Sequence, residues 1–333
     1  MEDRKRDHID LAFSSKLDIS QADNRFEYEP LLGTHSKQTN SYTFAGKSLK
    51  LPLWVSSMTG GTKRAGTINK NLAQACAEFG LGMGLGSCRI LLESPEHFKD
   101  FNVRPITGPE VPLFANIGIC QLETMLRQGS TDQLNELVSK LDADGLIIHI
   151  NPLQEAFQPE GDSITRPPLD TLQEFFETSE SKIIIKEVGQ GFGKESLRQL
   201  LQLPIEAIEF AALGGTNFSL VELNRSDAVS SEVYNPFIHI GHSAEEMTLA
   251  VNELIKEMSP DSISVNQLII SGGITNLLDG YYLTSISKLP AVYGMGSAFL
   301  RHAMRDYENL RQYVEKIAYG WQLASNFLHV KHP

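Results

Sequence analysis

Eight short apolar runs recur along this chain, separated by helical stretches and glycine turns, and that alternation restricts the fold more than any other feature. The runs are LPLWVSS (51–57), LGMGLG (81–86), VPLFANI (111–117), GLIIHI (145–150), KIIIKEV (182–188), IEAIEFA (205–211), QLIISG (267–272) and AVYGMG (291–296). Several are continuously apolar rather than alternating, which marks parallel strands covered on both faces. Helical patterns lie between them, at 67–79, 131–141, 169–178, 193–203, 243–258 and about 305–328. Eight strand-then-helix units predict an α/β fold, a (β/α)8 TIM barrel, with a doubly wound sheet as the alternative. No low-complexity linker divides the 333 residues. The chain therefore reads as a single domain, 1–333, with residues 1–50 as an N-terminal extension, partly loop.

Bulk properties narrow the function class. The net charge of -12, with Lys and Arg scattered, argues against a nucleic-acid surface, though a local cation cluster can still bind an anion. No apolar run has transmembrane length, and MEDRKRDHID has no signal-like apolar core. Cys76, Cys88 and Cys120 show no paired spacing, so neither a disulfide framework nor a zinc site is expected, and free thiols fit a reducing cytoplasmic setting.

In a barrel of this kind the active site lies at the C-terminal ends of the strands. Those ends read SSMTGG (56–61), GSCR (86–89), Asn116, His149 with Asn151, Lys186, GGTN (214–217), SGGI (271–274) and GMGS (294–297). Glycine lets backbone N–H groups approach an anion, so the last three turns predict a phosphate site at Thr216, Gly272, Gly273, Ile274, Met295 and Gly296. Turns serving geometry alone are the other reading. Met58 offers an apolar wall. Thr59 and Gly60 add donors, while Ser87 and Asn116 can hydrogen-bond a flat heterocycle. Lys186 puts a cation near the centre, where it would stabilise a reduced flavin, so FMN is the candidate ligand. A salt bridge to Glu155, Glu187 or Glu209 is the structural alternative for Lys186.

The string HINPLQE (149–155) supplies a second chemistry. His149 and Asn151 stand two apart on an extended segment and are expected to point the same way and donate to an anionic substrate. Pro152 stops the strand, and Gln154 and Glu155 fall in the loop over the mouth. Gln154 can hold or relay a proton, and Glu155 can bind Mg²⁺, which favours carboxylate and phosphate oxygens.

HINPLQE, RKRDH (4–8), SSMTGG, GSCR, KEVG (186–189), GGT and SGGI together resemble the type 2, FMN-dependent isopentenyl-diphosphate isomerases, from Arg4 to about Arg301. The resemblance implies conversion of isopentenyl to dimethylallyl diphosphate by reduced FMN without net redox change, after reduction by NADPH or NADH. It places FMN on Met58, Thr59, Gly60, Ser87, Asn116, Lys186 and Thr216, with its phosphate on Gly272, Gly273, Met295 and Gly296. It places the prenyl diphosphate on Arg4, Lys5, His8, Arg89, His149 and Asn151, with Gln154 and Lys186 as catalytic residues and Mg²⁺ on Glu155. Homo-oligomers, tetramer or octamer, also follow from it. Composition alone would read Arg4-Lys5-Arg6 as a solvated terminus. The chain departs from the pattern at Cys88, Asn217, Phe218, Thr275 and residues 236–242. The rival readings are another FMN-dependent oxidoreductase and a flavin-binding barrel without catalysis. Absence of an HG-x-R run argues against glycolate-oxidase-like chemistry.

Overall fold

The computed structural model describes residues 2–35 and 41–331. Its centre is a closed eight-stranded parallel barrel. The strands are β1 (Leu53–Val55), β2 (Gly82–Gly84), β3 (Leu113–Gly118), β4 (Gly145–His149), β5 (Ile183–Lys186), β6 (Ala207–Glu209), β7 (Gln267–Ser271) and β8 (Ala291–Met295). Each pairs with the next, and β8 pairs with β1 through Tyr293–Leu53, Gly294–Trp54 and Met295–Val55. Closure excludes the doubly wound alternative. Seven of the eight predicted runs contain their strand and β3 outruns its own by one residue, Gly118, because each run is bounded by turn residues and buried on both faces.

The helices follow from spacing and caps. Lys63–Phe79 buries Ala65, Ile68, Leu72, Ala73 and Cys76, starts where Thr62 accepts from the Ala65 N–H at 3.1 Å, and ends at left-handed Gly80. Ala244–Glu257 opens with a Ser243/Glu246 capping box. Two further barrel helices, Ile119–Gln128 and Leu277–Ile286, fall outside the predicted patterns. The first follows β3 directly, with the strand's last residue, Gly118, as its N-cap. The second, LLDGYYLTSI, has no clean polar face, and Gly280 lets it seat on the Tyr293 ring, which a Cβ would meet at 2.5 Å.

The described part of residues 1–50 carries more secondary structure than an extension implies. Glu2–Leu11 is a helix whose described side chains are all exposed. Phe26–Tyr28 pairs antiparallel with Leu328–Val330, joining the two ends of the chain. Tyr42–Phe44 and Lys47–Leu49 form a hairpin whose two-residue turn has φ of 52° at Ala45 and 82° at Gly46, matching the twist of the strands. Phe44, Ala45 and Leu49 from this hairpin close the N-terminal end of the barrel. They pack with Trp54, Phe114, Ile147, Ile184, Ala207, Ile269 and Val292 into a dry floor. Among the described residues no helix is long and apolar enough to cross a membrane. All three cysteines are free and buried.

Candidate active site

Side chains alternate along a strand, so the residue two past each floor position also faces inward, one storey closer to the C-terminal mouth. Two past Trp54, Phe114, Ile147, Ile184, Ala207, Ile269 and Val292 stand Ser56, Asn116, His149, Lys186, Glu209, Ser271 and Gly294. An apolar floor thus gives way in one step to a polar tier. This answers why an aliphatic strand such as GLIIH ends in a group that needs partners: the last inward position belongs to the cavity.

Two adjoining hollows open above the tier. One encloses about 540 Å³ and is lined by Ser56, Lys186, Glu209, Ser271 and the glycine turns. The other encloses about 440 Å³ and is lined by Ser87, Asn116, His149 and Gln154. Met58, Lys186, Val188 and Phe218 belong to both.

The glycine turns converge as predicted. Thr216, Gly272, Gly273, Ile274, Met295 and Gly296 all line the first hollow. Gly214, Gly272 and Gly273 have φ of 108°, 88° and 71°, conformations that disfavour any side chain. A Cβ on Gly215 would lie 3.1 Å from the Gly272 Cα, so GGTN and SGGI run backbone to backbone.

The polar tier is held by hydrogen bonds. The Asn116 amide nitrogen donates to the Leu85 carbonyl at 3.0 Å, leaving its Oδ1 to accept from His149 Nδ1 at 2.8 Å. Burial, with help from the charge on Lys186, pushes the imidazole down to about 3, so His149 is neutral. The Nδ1 donor expected for an anionic substrate is therefore committed to Asn116. Lys186 Nζ donates to the Glu187 carbonyl at 2.7 Å. Among the described residues no carboxylate lies within ion-pair distance of it, so the predicted alternative of a salt bridge does not hold. The Glu187 carboxylate instead accepts from the N–H groups of Gly189, Gln190 and Gly191 at 2.6, 2.6 and 2.8 Å, pinning the loop after β5.

HINPLQE behaves differently from expectation in two respects. The strand has already ended at His149, and Pro152 opens a helix, Pro152–Phe157, so Gln154 and Glu155 sit on a helical turn rather than in a loop. His149 and Asn151 do not act side by side. His149 lines the second hollow, whereas buried Asn151 lines a neighbouring cleft with Gln154, Gln190 and His242. The Asn151 amide donates to Gln154 Oε1 at 3.2 Å and Glu155 Oε1 at 2.9 Å. Helix geometry explains this, because residues three and four apart meet on one face.

Gln154 Nε2 reaches Glu222 Oε1 at 3.4 Å, and Glu222 is buried and paired with Arg225. Glu155 also accepts from the Asp162 N–H at 2.8 Å, and the Asp162 side chain binds Arg89 at 2.6 Å. Arg89 and Glu155 thus share one rim through Asp162. Among the described residues no group of three or more His, Cys, Asp or Glu side chains is arranged around a metal position.

The remaining predicted residues lie outside the lining of both hollows. Thr59 packs its backbone behind Gly86, and Gly60 packs on the Phe101 ring, where a Cβ would come within 2.3 Å. Arg4, Lys5 and His8 stand on the exposed first helix. The departures from the family pattern have structural uses. Asn217 Oδ1 caps the helix Phe218–Leu223, and its amide nitrogen binds the Ile238 carbonyl at 3.2 Å. Thr275 binds Asp279 through its N–H and its hydroxyl, at 2.9 and 2.7 Å. Ser56, Ser57, Glu209, Ser271 and Glu222 were missed. For the tier members Ser56, Glu209 and Ser271, the count of two from the floor would have found them.

No family model matches the chain. It is 35% identical over 322 residues to the isopentenyl-diphosphate delta-isomerase of Rickettsia felis, covering 95% of this chain and 89% of that protein. The chain belongs to the isopentenyl-diphosphate delta-isomerase family. The isopentenyl-diphosphate delta-isomerase of Rickettsia peacockii is 34% identical over 308 residues, which is 90% of this chain and 86% of that one. The isomerase-family barrel is also similar to solved structures. One is a flavocytochrome b2 with sulfite bound, at TM-score 0.60 and 14% identity over 90% of this chain and 70% of that one. Another is a mandelate oxidase with a monooxide FMN adduct, at TM-score 0.56 and 12% identity over 93% and 88%. At such identities the likeness is one of fold.

Proposed function

We propose that this chain interconverts isopentenyl and dimethylallyl diphosphate, using reduced FMN in the first hollow and Mg²⁺ on the substrate diphosphate. The observation that carries the reading is the convergence of the three glycine turns beside Lys186 at a barrel mouth, in a member of the isomerase family. The residues fit FMN. The turns at 214–216, 272–274 and 295–296 leave a cradle that added Cβ atoms would fill, and helix Ser297–Ala303 begins directly after Gly296. Ser57 and Ser56 face the hollow with hydroxyls that lack partners among the described residues. When bound and reduced, FMN would supply acid–base chemistry at the alkene, and NADPH is the proposed reductant.

The chain's own residues then have defined tasks. An unactivated alkene is a poor base, so its protonation needs a fixed geometry and an environment that favours positive charge. Lys186 would balance the negative charge of the reduced ring. Neutral His149 adds no charge to the tier that would compete with it. Glu222 fixes the Gln154 amide at the wall of the second hollow, where Gln154 would hold or relay a proton at the prenyl end. Glu155 would hold Mg²⁺ as its single carboxylate, with substrate phosphate oxygens supplying further contacts. Arg89 lies beside it, and Arg4, Lys5 and His8 would come from the exposed first helix. Binding energy from the diphosphate would thereby orient the distant alkene.

Anaerobic incubation with isopentenyl diphosphate, FMN, excess reductant and Mg²⁺ tests the reading. Dimethylallyl diphosphate should accumulate without stoichiometric consumption of reductant. Absence of product, or one reductant consumed per turnover, would overturn it; the latter outcome favours a net oxidoreductase.

A further inference from the structure

Glu209 is fully buried at the end of β6 and lines the first hollow. Its Oε1 receives one long bond from the Ser271 hydroxyl at 3.4 Å, and its Oε2 has no partner among the described residues. Glu187, another buried carboxylate at this end of the barrel, accepts three backbone N–H groups. Glu209 accepts none, so only one long hydroxyl bond stands in for the water that an ionised carboxylate would lose.

Its neighbours make the point sharper. In the barrel register Glu209 stands opposite Lys186 on β5 and Ile269 on β7. Ser271 on β7, Trp54 on β1 and Ser56 just past β1 are the other polar side chains beside it, and Lys186 is the charged one. The Trp54 indole N–H and the Ser56 hydroxyl make no hydrogen bond. An ionised Glu209 would draw the flexible Lys186 stem into an ion pair. Lys186 Nζ instead rests on the Glu187 carbonyl.

We propose that Glu209 is a positioning residue that works as a neutral carboxylic acid, leaving Lys186 unpaired for an anionic ring in the first hollow. Burial pushes the Glu209 carboxyl above the usual carboxylate range, in agreement with this geometry. The role deepens the flavin reading and rests on it for the identity of the ring, but the protonation state does not depend on FMN.

Two measurements on the full chain separate these claims. Infrared spectra of the flavin-free protein near neutral pH should show a protonated-carboxyl C=O band that shifts in D2O and is missing from Glu209→Gln. If that variant does not fold, Glu209→Asp should displace the band instead. Titration with FMN, oxidised and then reduced, should give Glu209→Gln the same ratio of affinities as the parent within about twofold, because Gln is isosteric with the protonated acid. Absence of the band in the parent, or its survival in Glu209→Gln, overturns the proposal. So does a gain of about tenfold or more for reduced over oxidised FMN, as removal of a competing anion would give. Failure of FMN to bind the parent would overturn the flavin reading, while the infrared result would still decide Glu209.

Discussion

Acidification should weaken this fold through His149, by an amount that the tier geometry sets. The imidazole is held at about 3 in the folded chain, against an ordinary 6.5. The unfolded chain therefore takes up a proton first. Stability is fully present above the ordinary value and is lost as pH falls from there toward the folded one. At about 1.4 kcal/mol per pH unit, the full window is worth roughly 4–5 kcal/mol, of which about 2–3 kcal/mol is lost by about pH 4.5. The ring borders a water-accessible hollow, so roughly half of that is the working expectation. Urea unfolding of the parent and of His149→Gln, at about pH 7 and about pH 4.5, isolates the effect. Gln can still bond to Asn116 but cannot titrate. The parent should lose about 1–1.5 kcal/mol more than the variant over this interval. Equal losses would show that the imidazole is solvated and that the neutral-tier argument is wrong.

Gly272→Ala forces φ of 88° on a residue with a side chain and places its Cβ 2.1 Å from the Ala212 nitrogen. A loss of about 2 kcal/mol or more in urea and a weakened FMN affinity should follow, read by unfolding and by flavin fluorescence. Glu155→Gln should weaken the Mg²⁺ dependence of activity while FMN stays bound; equal dependence in parent and variant would remove the metal role. Lys186→Ala should lower activity or loosen FMN, and if neither changes the lysine is structural. Removal of residues 1–8 should raise the substrate KM far more than it alters flavin binding, and normal kinetics would take Arg4, Lys5 and His8 out of the site.

The barrel was legible because its strands announce themselves. Three isoleucines between Lys182 and Lys186, or LII between Gly145 and His149, can only be buried on both sides. The hairpin at 42–49 was not legible. Its turn is Ala45-Gly46, not the Asn-Gly pair that signals such a turn, and its purpose emerges only once a barrel end needs closing. Helix Leu277–Ile286 hid because a segment apolar nearly all round has no period to detect. The glycine turns and Lys186 were readable as chemistry from their place at strand ends. Glu209 was not, because either of the two acids in IEAIEFA looks like a solvated residue until the register turns Glu209 inward. The shared orientation expected of His149 and Asn151 is lost for a related reason: β4 ends at His149, and Asn151 already stands at the N-cap of the next helix.

The one-step change from floor to tier has a consequence for how such a protein can diversify. Trp54, Phe114 and Ile147 hold the cylinder shut from below, while the groups that meet a ligand occupy separate rungs on the same ladders. A lineage could therefore exchange one upper rung for another and obtain new reactivity from an unaltered frame. A single-residue slip along any stave would instead interchange its inner and outer faces, losing scaffold and reactivity together.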